Sequence, residues 1–341
     1  MDQSDDLIEK LRKLQKQHAG KVTPIKRRLI ENSVKIGAKL ADDILFQHTV
    51  FCQTVLPYRD PGPEVRIWER EQGNVKLYIK AGEVYHPTTK HLEKIGLPFG
   101  TAARLILCHL NTEALRTGSP VIEIDGSMTA FITRLQGYQP NGQEIRKFKD
   151  QLVRLSTSLI RLIAVQENHA VQINTQIIGT LDLWVERFKG EGFLFPKKIQ
   201  LSADYFTSLQ EHAIPLDERA VIALAHSAMG LDIYCWLAQR LHRVDPKRGQ
   251  FVPWTALHQQ FGQGYEQIRQ FRAAFLQVLK VVKTQYPAAR FGIDKGGMML
   301  GNSPPPVQRP AVLVGSPPLT LAPPMEVPNA RMLSLPPPPE V

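Results

Sequence analysis

The sequence predicts an α+β protein, mostly helical, made of two tandem winged-helix units followed by a disordered Pro-rich C-terminal tail. Three observations predict it. A basic amphipathic segment occurs twice, as Ile-Arg-Lys-Phe-Lys-Asp-Gln-Leu at 145–152 and as Ile-Arg-Gln-Phe-Arg-Ala-Ala-Phe at 268–275. A short apolar segment that stops at a glycine precedes each copy, and two strand-like runs around a polar turn follow each. Helix, turn, basic helix and hairpin in that order make the winged-helix pattern.

In both copies apolar residues recur at i, i+3, i+7 and i+10. They are Ile145, Phe148, Leu152 and Leu155 in the first and Ile268, Phe271, Phe275 and Val278 in the second. That spacing draws one buried stripe along a helix. The basic residues fall off the stripe, and a helix anchored on one face with Arg and Lys on the other suits a DNA groove. The segment before the first copy runs from Ser127 to Gly137 and pairs Phe131 with Leu135. The one before the second runs from Trp254 to Gly262 and pairs Leu257 with Phe261. Both use i, i+4 spacing and end at Gly, a C-terminal helix signal. The turn after the first is three residues longer. Two ordinary helical hairpins with solvated basic faces would account for either copy alone. The matching positions of Ile, Arg, Phe and a second basic residue in both copies favour DNA.

The chain of 341 residues has room for two domains, and 43% hydrophobic residues suit a globular protein. A formal net charge of +10 suits a polyanionic partner. An anionic membrane surface would accept the same charge. No apolar run reaches spanning length, however, and the acidic start Asp2, Asp5, Asp6 does not read as a signal peptide. The three cysteines, Cys52, Cys108 and Cys235, are widely spaced in apolar surroundings and read as buried free thiols of a reducing cytoplasm.

Taken in order, residues 1–48 read as a charged helical arm. A short stripe of Leu7, Ile8, Leu11 and Leu14 is broken by Pro24, and a basic segment with Lys26, Arg27 and Arg28 follows. Residues 49–190 form the first winged-helix domain. Its early strands lie at 65–68 and 75–84 around a Gln72-Gly73-Asn74 turn. A helix from Thr101 to Arg116 comes next, in which Arg104 is the only central charge, so Arg104 is either paired or at the rim. A strand at 121–124 leads into the first helix-turn-helix. Runs at 159–165 and 170–177 then form its wing, and 181–185 adds a strand. Residues 197–302 form the second domain: a strand at 197–201, a helix opening at Ser202 or Ala203, a helix starting at Pro215, and a core helix from Ser227 to Leu241. A short strand at 250–252 and the second helix-turn-helix complete it, with a wing at 289–293 and 298–300 whose tip carries Lys295. Residues 303–341 are Pro-rich and read as polyproline II or disordered chain.

No catalytic signature stands out. There is no G-x-x-x-x-G-K-(S/T) loop, no C-x-x-C, no spaced His/Cys cluster and no clear carboxylate pair for two-metal chemistry. Cys108 and His109 are adjacent on a helix and read as core and rim. The expectation is a binding protein and not an enzyme, with no cofactor and no metal. Gln143, Arg146, Lys147, Lys149 and Arg154 in the first unit are the candidate DNA contacts, with Gln267, Arg269, Gln270, Arg272 and Lys295 in the second. Gln beside Arg with Ala273 and Ala274 behind them suits base edges, whereas Lys and Arg alone suit phosphates. The second helix is therefore expected to read more sequence and the first to supply more backbone affinity.

Five longer motifs carry a resemblance. They are Phe-Cys-Gln-Thr-Val-Leu-Pro-Tyr-Arg-Asp-Pro at 51–61, Gly-Leu-Pro-Phe-Gly-Thr-Ala-Ala-Arg-Leu-Ile-Leu at 96–107 and Thr-Glu-Ala-Leu-Arg-Thr at 112–117. The others are Leu-Asp-Ile-Tyr-Cys-Trp-Leu at 231–237 and Trp254 with Gln-Phe-Gly at 260–262. On these the chain resembles the plasmid-encoded RepA replication proteins, from about Leu40 to Pro305. The resemblance implies a bacterial cytoplasmic initiator of plasmid replication that binds double-stranded DNA repeats at the origin. It also implies origin opening and recruitment of the host initiator and replicative helicase, and leaves a homodimer open. A winged-helix transcriptional regulator acting as an autorepressor, without origin melting, is the alternative.

Overall fold

The computed structural model describes residues 23–38, 43–86, 90–123, 128–166, 169–175, 177–181 and 198–307. The Leu7–Leu14 stripe, most of the expected 181–185 strand and the tail beyond 307 lie outside the described residues.

Where the sequence alternates, it forms strands. β2 (Ile67–Gln72) and β3 (Val75–Lys80) pair across a two-residue turn at which Gly73 takes φ +60°. Val75, Leu77 and Ile79 point inward and are buried. A separate antiparallel ribbon follows, β4 (Glu83–His86) with β5 (His91–Lys94). The expected long helix is α3 (Gly100–Thr117), ended by Gly118 at φ +65° with its N–H on the carbonyls of Ala114 and Leu115. Such a left-handed cap is the conformation glycine adopts at no steric cost. α3 is buried on nearly every side, from Ala102 to Leu115.

Three predicted features come out differently. The arm is not separate from the body. α1 (Pro24–Ala38) lies on the rest of the fold through Leu29 and Ile36, and β1 (Ile44–His48) is a core strand. Pro215 does not start a helix. It lies in β11 (Ala213–Asp217), which pairs with β1 so that Phe46 faces Pro215. Both strands of a two-stranded ribbon are edges, where a residue without an N–H is tolerated. The acidic helix start comes after it: Asp217 caps α7 (Glu218–Leu224) by accepting from Arg219 N. The tail begins later than residue 303. Ser303 and Val307 are buried, Ser303 Oγ accepts from Arg290 N at 2.8 Å, and Tyr286 donates to the Pro304 carbonyl.

The two halves share one hydrophobic core. β6 (Val121–Glu123) pairs with β10 (Lys198–Leu201), which pairs in turn with β9 (Ile178–Leu181). After α6 (Ala203–His212), β11 and α7, the apolar α8 (Ala228–Arg240) runs through the centre with Met229 to Gln239 buried. It meets α3 at Arg104, the lone central charge. Arg104 Nε and Nη2 donate to Asp232 Oδ1 and Oδ2 at 2.7 Å each. Nη1 reaches the carbonyls of Gly100 and Pro57, and Nη2 also reaches that of Leu56. All five guanidinium N–H groups are thereby used. Burial by itself would lower the Arg104 guanidinium, but the charge and hydrogen bonds of Asp232 outweigh it and hold Arg104 charged. Removing one partner of such a pair strands a buried charge. Arg104→Met should cost about 3–5 kcal/mol in urea unfolding, and Arg104→Met with Asp232→Leu should recover part of that.

Cys52, Cys108 and Cys235 are buried and free, as expected. His109, expected at a rim, is buried, and burial brings its imidazole down to about 4. His48 is buried just before the short helix α2 (Thr49–Gln53). Its Nδ1 accepts from Val50 N at 3.2 Å, so its Nε2 carries the proton toward Ser208 Oγ at 3.0 Å. Burial, with His212 adding to it, takes His48 from 6.5 down to about 3. Both histidines stay neutral in the folded state while the unfolded chain protonates them near pH 6.5. Their contribution is present in full above that pH and is lost as pH falls toward 3–4, at about 1.4 kcal/mol per pH unit for each histidine. Urea midpoints between pH 7 and 4.5 should fall accordingly, and His48→Gln should flatten the slope.

Candidate nucleic-acid interface

In the first unit α4 (Met128–Gln136) stops at Gly137, φ +73°, and the turn leads to α5 (Gly142–Thr157). Asn141 and Glu144 form a capping box: Asn141 Oδ1 accepts from the amides of Gln143 and Glu144 at 3.0 Å, and Glu144 Oε2 accepts from Asn141 N at 2.8 Å. Reciprocal capping of this kind is worth about 1 kcal/mol. Tyr138 donates to Glu144 Oε1, and burial together with that carboxylate pushes its phenol up to about 12. The stripe holds: Phe148, Leu152 and Leu155 are buried and Ile145 is half-buried. The side chain of Phe131 lies outside the described residues. Gln143, Arg146 and Lys147 are exposed, and Lys149 is half-buried.

Arg154 is a correction. It does not join the outward set, because its guanidinium is spent inside the fold. Its side chain is 14% exposed and pairs with Asp60 at 3.1 Å and Asp150 at 2.9 Å. It also donates to the Leu97 carbonyl and lies over the Phe99 ring. A Cβ on Gly96 would sit 2.3 Å from Arg154 Nη1, so glycine there makes room for the guanidinium.

The hairpin after α5 forms as expected, with β7 (Leu159–Gln166) and β8 (His169–Thr175) in register. It is nevertheless built into a four-stranded sheet in the order β2-β3-β7-β8, and the strand preceding α4 pairs elsewhere. Early strands with an apolar alternating face offered β7 a partner, so this hairpin is less free than a projecting wing.

The second unit is more self-contained. β12 (Gln250–Pro253) leads into α9 (Trp254–Phe261), the turn, α10 (Ile268–Gln285), and the hairpin β13 (Arg290–Ile293) with β14 (Gly297–Gly301). β14 pairs with both β13 and β12, which closes the hairpin onto the strand that opens the unit. An aromatic cluster sets the angle of α10. Phe271 and Phe275 lie 5.3 Å apart with their rings tilted, Phe275 meets Phe261 at 5.6 Å and Trp254 at 6.0 Å, and His258 meets Phe271 at 5.2 Å. At Gly262 a Cβ would lie 2.5 Å from the His258 carbonyl, which explains the glycine although its φ is −83°.

The buried line of α10 is Phe271, Phe275, Leu279 and Val282. Ile268, expected to begin it, is 40% exposed. It lines an open cleft of about 400 Å³ between the start of α10 and the hairpin tip, with Pro253, Trp254, Thr255, Arg269, Arg272, Lys295 and Gly296. Arg272 spans the cleft: it lies 4.9 Å over the Trp254 ring and reaches the carbonyls of Asp294 and Lys295 at 3.4 Å. Trp254 Nε1 donates to the Asp294 carbonyl and Trp254 N to that of Gly296. The tip is therefore fixed against the helix. Gln267, Arg269, Gln270 and Lys295 are exposed around it. No side chain caps α10 at Gln267; Gln270 N turns back onto the Gln267 carbonyl at 3.1 Å, and the positive end of the helix dipole favours an anion there.

The sequence singles out Arg269 and Arg272 on the helix and Lys295 at the hairpin tip separately, and the structure brings them to one cleft with Trp254, Thr255, Ile268 and Gly296. The signal available was Trp254 directly after a strand and the Gly296-Gly297 pair at the tip. No group of three or more His, Cys, Asp or Glu side chains among the described residues could hold a metal ion.

What fold and surface define is an α+β protein with two basic helices mounted on a common core. Residues 97–256 match the family described as plasmid encoded RepA protein, so the resemblance read from the motifs is shown over that stretch. The matched stretch includes α3, α5 and α8 and stops within α9, before α10. No curated protein matches. Among solved structures, a selenomethionine derivative of domains 2 and 3 of RctB aligns with TM-score 0.48 at 10% identity, covering 74% of this chain and 96% of that one. A second structure of the same domains aligns with TM-score 0.43 at 10% identity, covering 74% and 94%.

The exposed residues divide by chemistry. Arg269→Ala or Gln270→Ala should relax preference at one or two base pairs, at about 1–3 kcal/mol against the preferred duplex. Lys147→Ala should weaken all duplexes nearly alike. Titration of each variant with the preferred duplex, its single-base variants and random DNA separates the two effects.

Proposed function

We propose that the protein initiates plasmid replication by binding double-stranded repeats at the plasmid origin, promoting opening and recruiting the host initiator and helicase. In this reading the two helix-turn-helix units act as tandem winged helices in the bacterial cytoplasm, and the protein works by binding and not by catalysis. The observation that carries it is the cleft at α10, where a basic helix and a braced hairpin tip bearing Lys295 converge on one open surface. The match to plasmid-encoded RepA proteins supports the same reading.

Within it, Arg269, Gln270 and Gln267 meet base edges, and Lys295 takes a backbone phosphate. Arg272 holds the hairpin tip and lines the cleft. Gln143, Arg146, Lys147 and Lys149 supply the first unit's contacts, mostly to phosphates. Among the described residues no helix is long and apolar enough to cross a membrane.

The deciding experiment is a plasmid carrying only this gene and its flanking DNA. Autonomous maintenance supports an initiator, whereas repression of its own promoter without maintenance makes it an autorepressor. Binding should also depend steeply on salt, because each phosphate neutralised releases counterions and adds about 0.9 to the slope of log K against log salt. Lys147→Ala should lower that slope by about 1. A slope near zero would leave the charge of +10 to some other purpose.

A further inference from the structure

α1 touches the end of α10 directly and reaches the start of α5 through Tyr138. At its first turns the Arg28 guanidinium lies 4.5 Å over the Tyr138 ring and donates to the Gln136 carbonyl at 3.2 Å. Tyr138 in turn holds Glu144, one half of the box that caps α5. At the next residue of α1, the Leu29 carbonyl accepts from Gln285 Nε2 at 3.1 Å, and Gln285 is the last residue of α10. Near the end of α1 the Lys35 carbonyl accepts from Arg219 Nη1 at 2.9 Å. Leu29 and Ile36 also pack on the core, and Asn32 between them is buried. A segment whose net charge suggested a solvated arm thus bridges the capped start of α5 and the far end of α10.

From this we infer that α1 is a strut that fixes the separation and relative rotation of the two basic helices, and so specifies the spacing between the two DNA segments they meet. Arg28 is its positioning residue at the first unit and Gln285 at the second. One added base pair between two half-sites turns one against the other by roughly 34° and moves it by about 3.4 Å. A rigid strut converts that mismatch into lost affinity, and a loosened one does not. The inference rests on the proposed DNA binding, but the strut itself has a readout that needs no DNA.

The test uses the full chain. Gly142→Cys and Gln277→Cys are both at exposed positions, and a Cβ at Gly142 meets nothing within 4 Å. Spin labels there report the α5–α10 distance while the native cysteines stay buried. The expected result is a narrow distance distribution that broadens in Arg28→Ala and narrows again in Arg28→Lys. In parallel, duplexes selected by the unsubstituted protein from a random pool are rebuilt with one base pair inserted between the two protected segments. The unsubstituted protein should lose at least 10-fold in affinity on insertion, and Arg28→Ala less than 3-fold. An unchanged distance distribution in Arg28→Ala overturns the strut. Equal weakening of Arg28→Ala on both spacings does so too, since it makes α1 a stabilising element only. Failure of the unsubstituted protein to select any duplex sinks the proposed function, while the distance measurement still decides the strut.

Discussion

The fold depends on one buried cation. Arg104 gives two N–H groups to Asp232 and three to the carbonyls of Leu56, Pro57 and Gly100. These partners belong to three of the motifs that carry the resemblance, at 51–61, 96–107 and 231–237. The other motifs reach the same centre: Gln260 donates to the Gln53 carbonyl at 2.7 Å, and Thr112 Oγ1 accepts from Phe46 N at 2.9 Å. A guanidinium buried this deeply is tolerated only when every donor is met. The motifs are thus a list of what Arg104 and its neighbours require. They concern the body on which the basic helices are mounted, and little of them reaches the outer surface.

The two units illustrate different ways of holding a helix toward solvent. α5 starts on its own capping box, and its side chains satisfy its first amides. α10 starts without a side-chain cap, beside Arg269 and Lys295, so its positive end remains available to an anion. The hairpin of the first unit is committed to a four-stranded sheet, while that of the second is braced to its helix through Arg272 and Trp254.

Local pattern made much of this legible. Period-3.6 runs gave α3, α8 and both basic helices near their observed bounds, because burial of one face decides them, and the β2–β3 hairpin lies at its expected turn but with strand ends displaced. What pattern could not give was partnership. Nothing local distinguishes Arg154, turned onto Asp60 and the space above Gly96, from Arg146, which faces solvent four residues into the same helix. Pro215 looked like a helix start because the acids follow it, and only the distant strand at 44–48 makes it part of a ribbon. The cleft was half legible: its cations lay on the basic stripe, but Ile268 and Trp254 enter it through the turn and hairpin geometry.

The span between Arg104 and its carboxylate has a consequence for synthesis. Asp232 follows Arg104 by 128 residues, which at about 5–20 residues per second is roughly 6 to 26 s of translation. Throughout that interval α3, which the finished fold buries on nearly every side, has no α8 to cover it and its arginine is unmatched. Strand β1 waits longer still for β11, since His48 pairs with Ala213 and Ile44 with Asp217. The emerging chain therefore cannot complete its first half and then its second; it must hold a partly collapsed intermediate and close both together. A cell making this protein exposes that intermediate to chaperones and proteases with every copy.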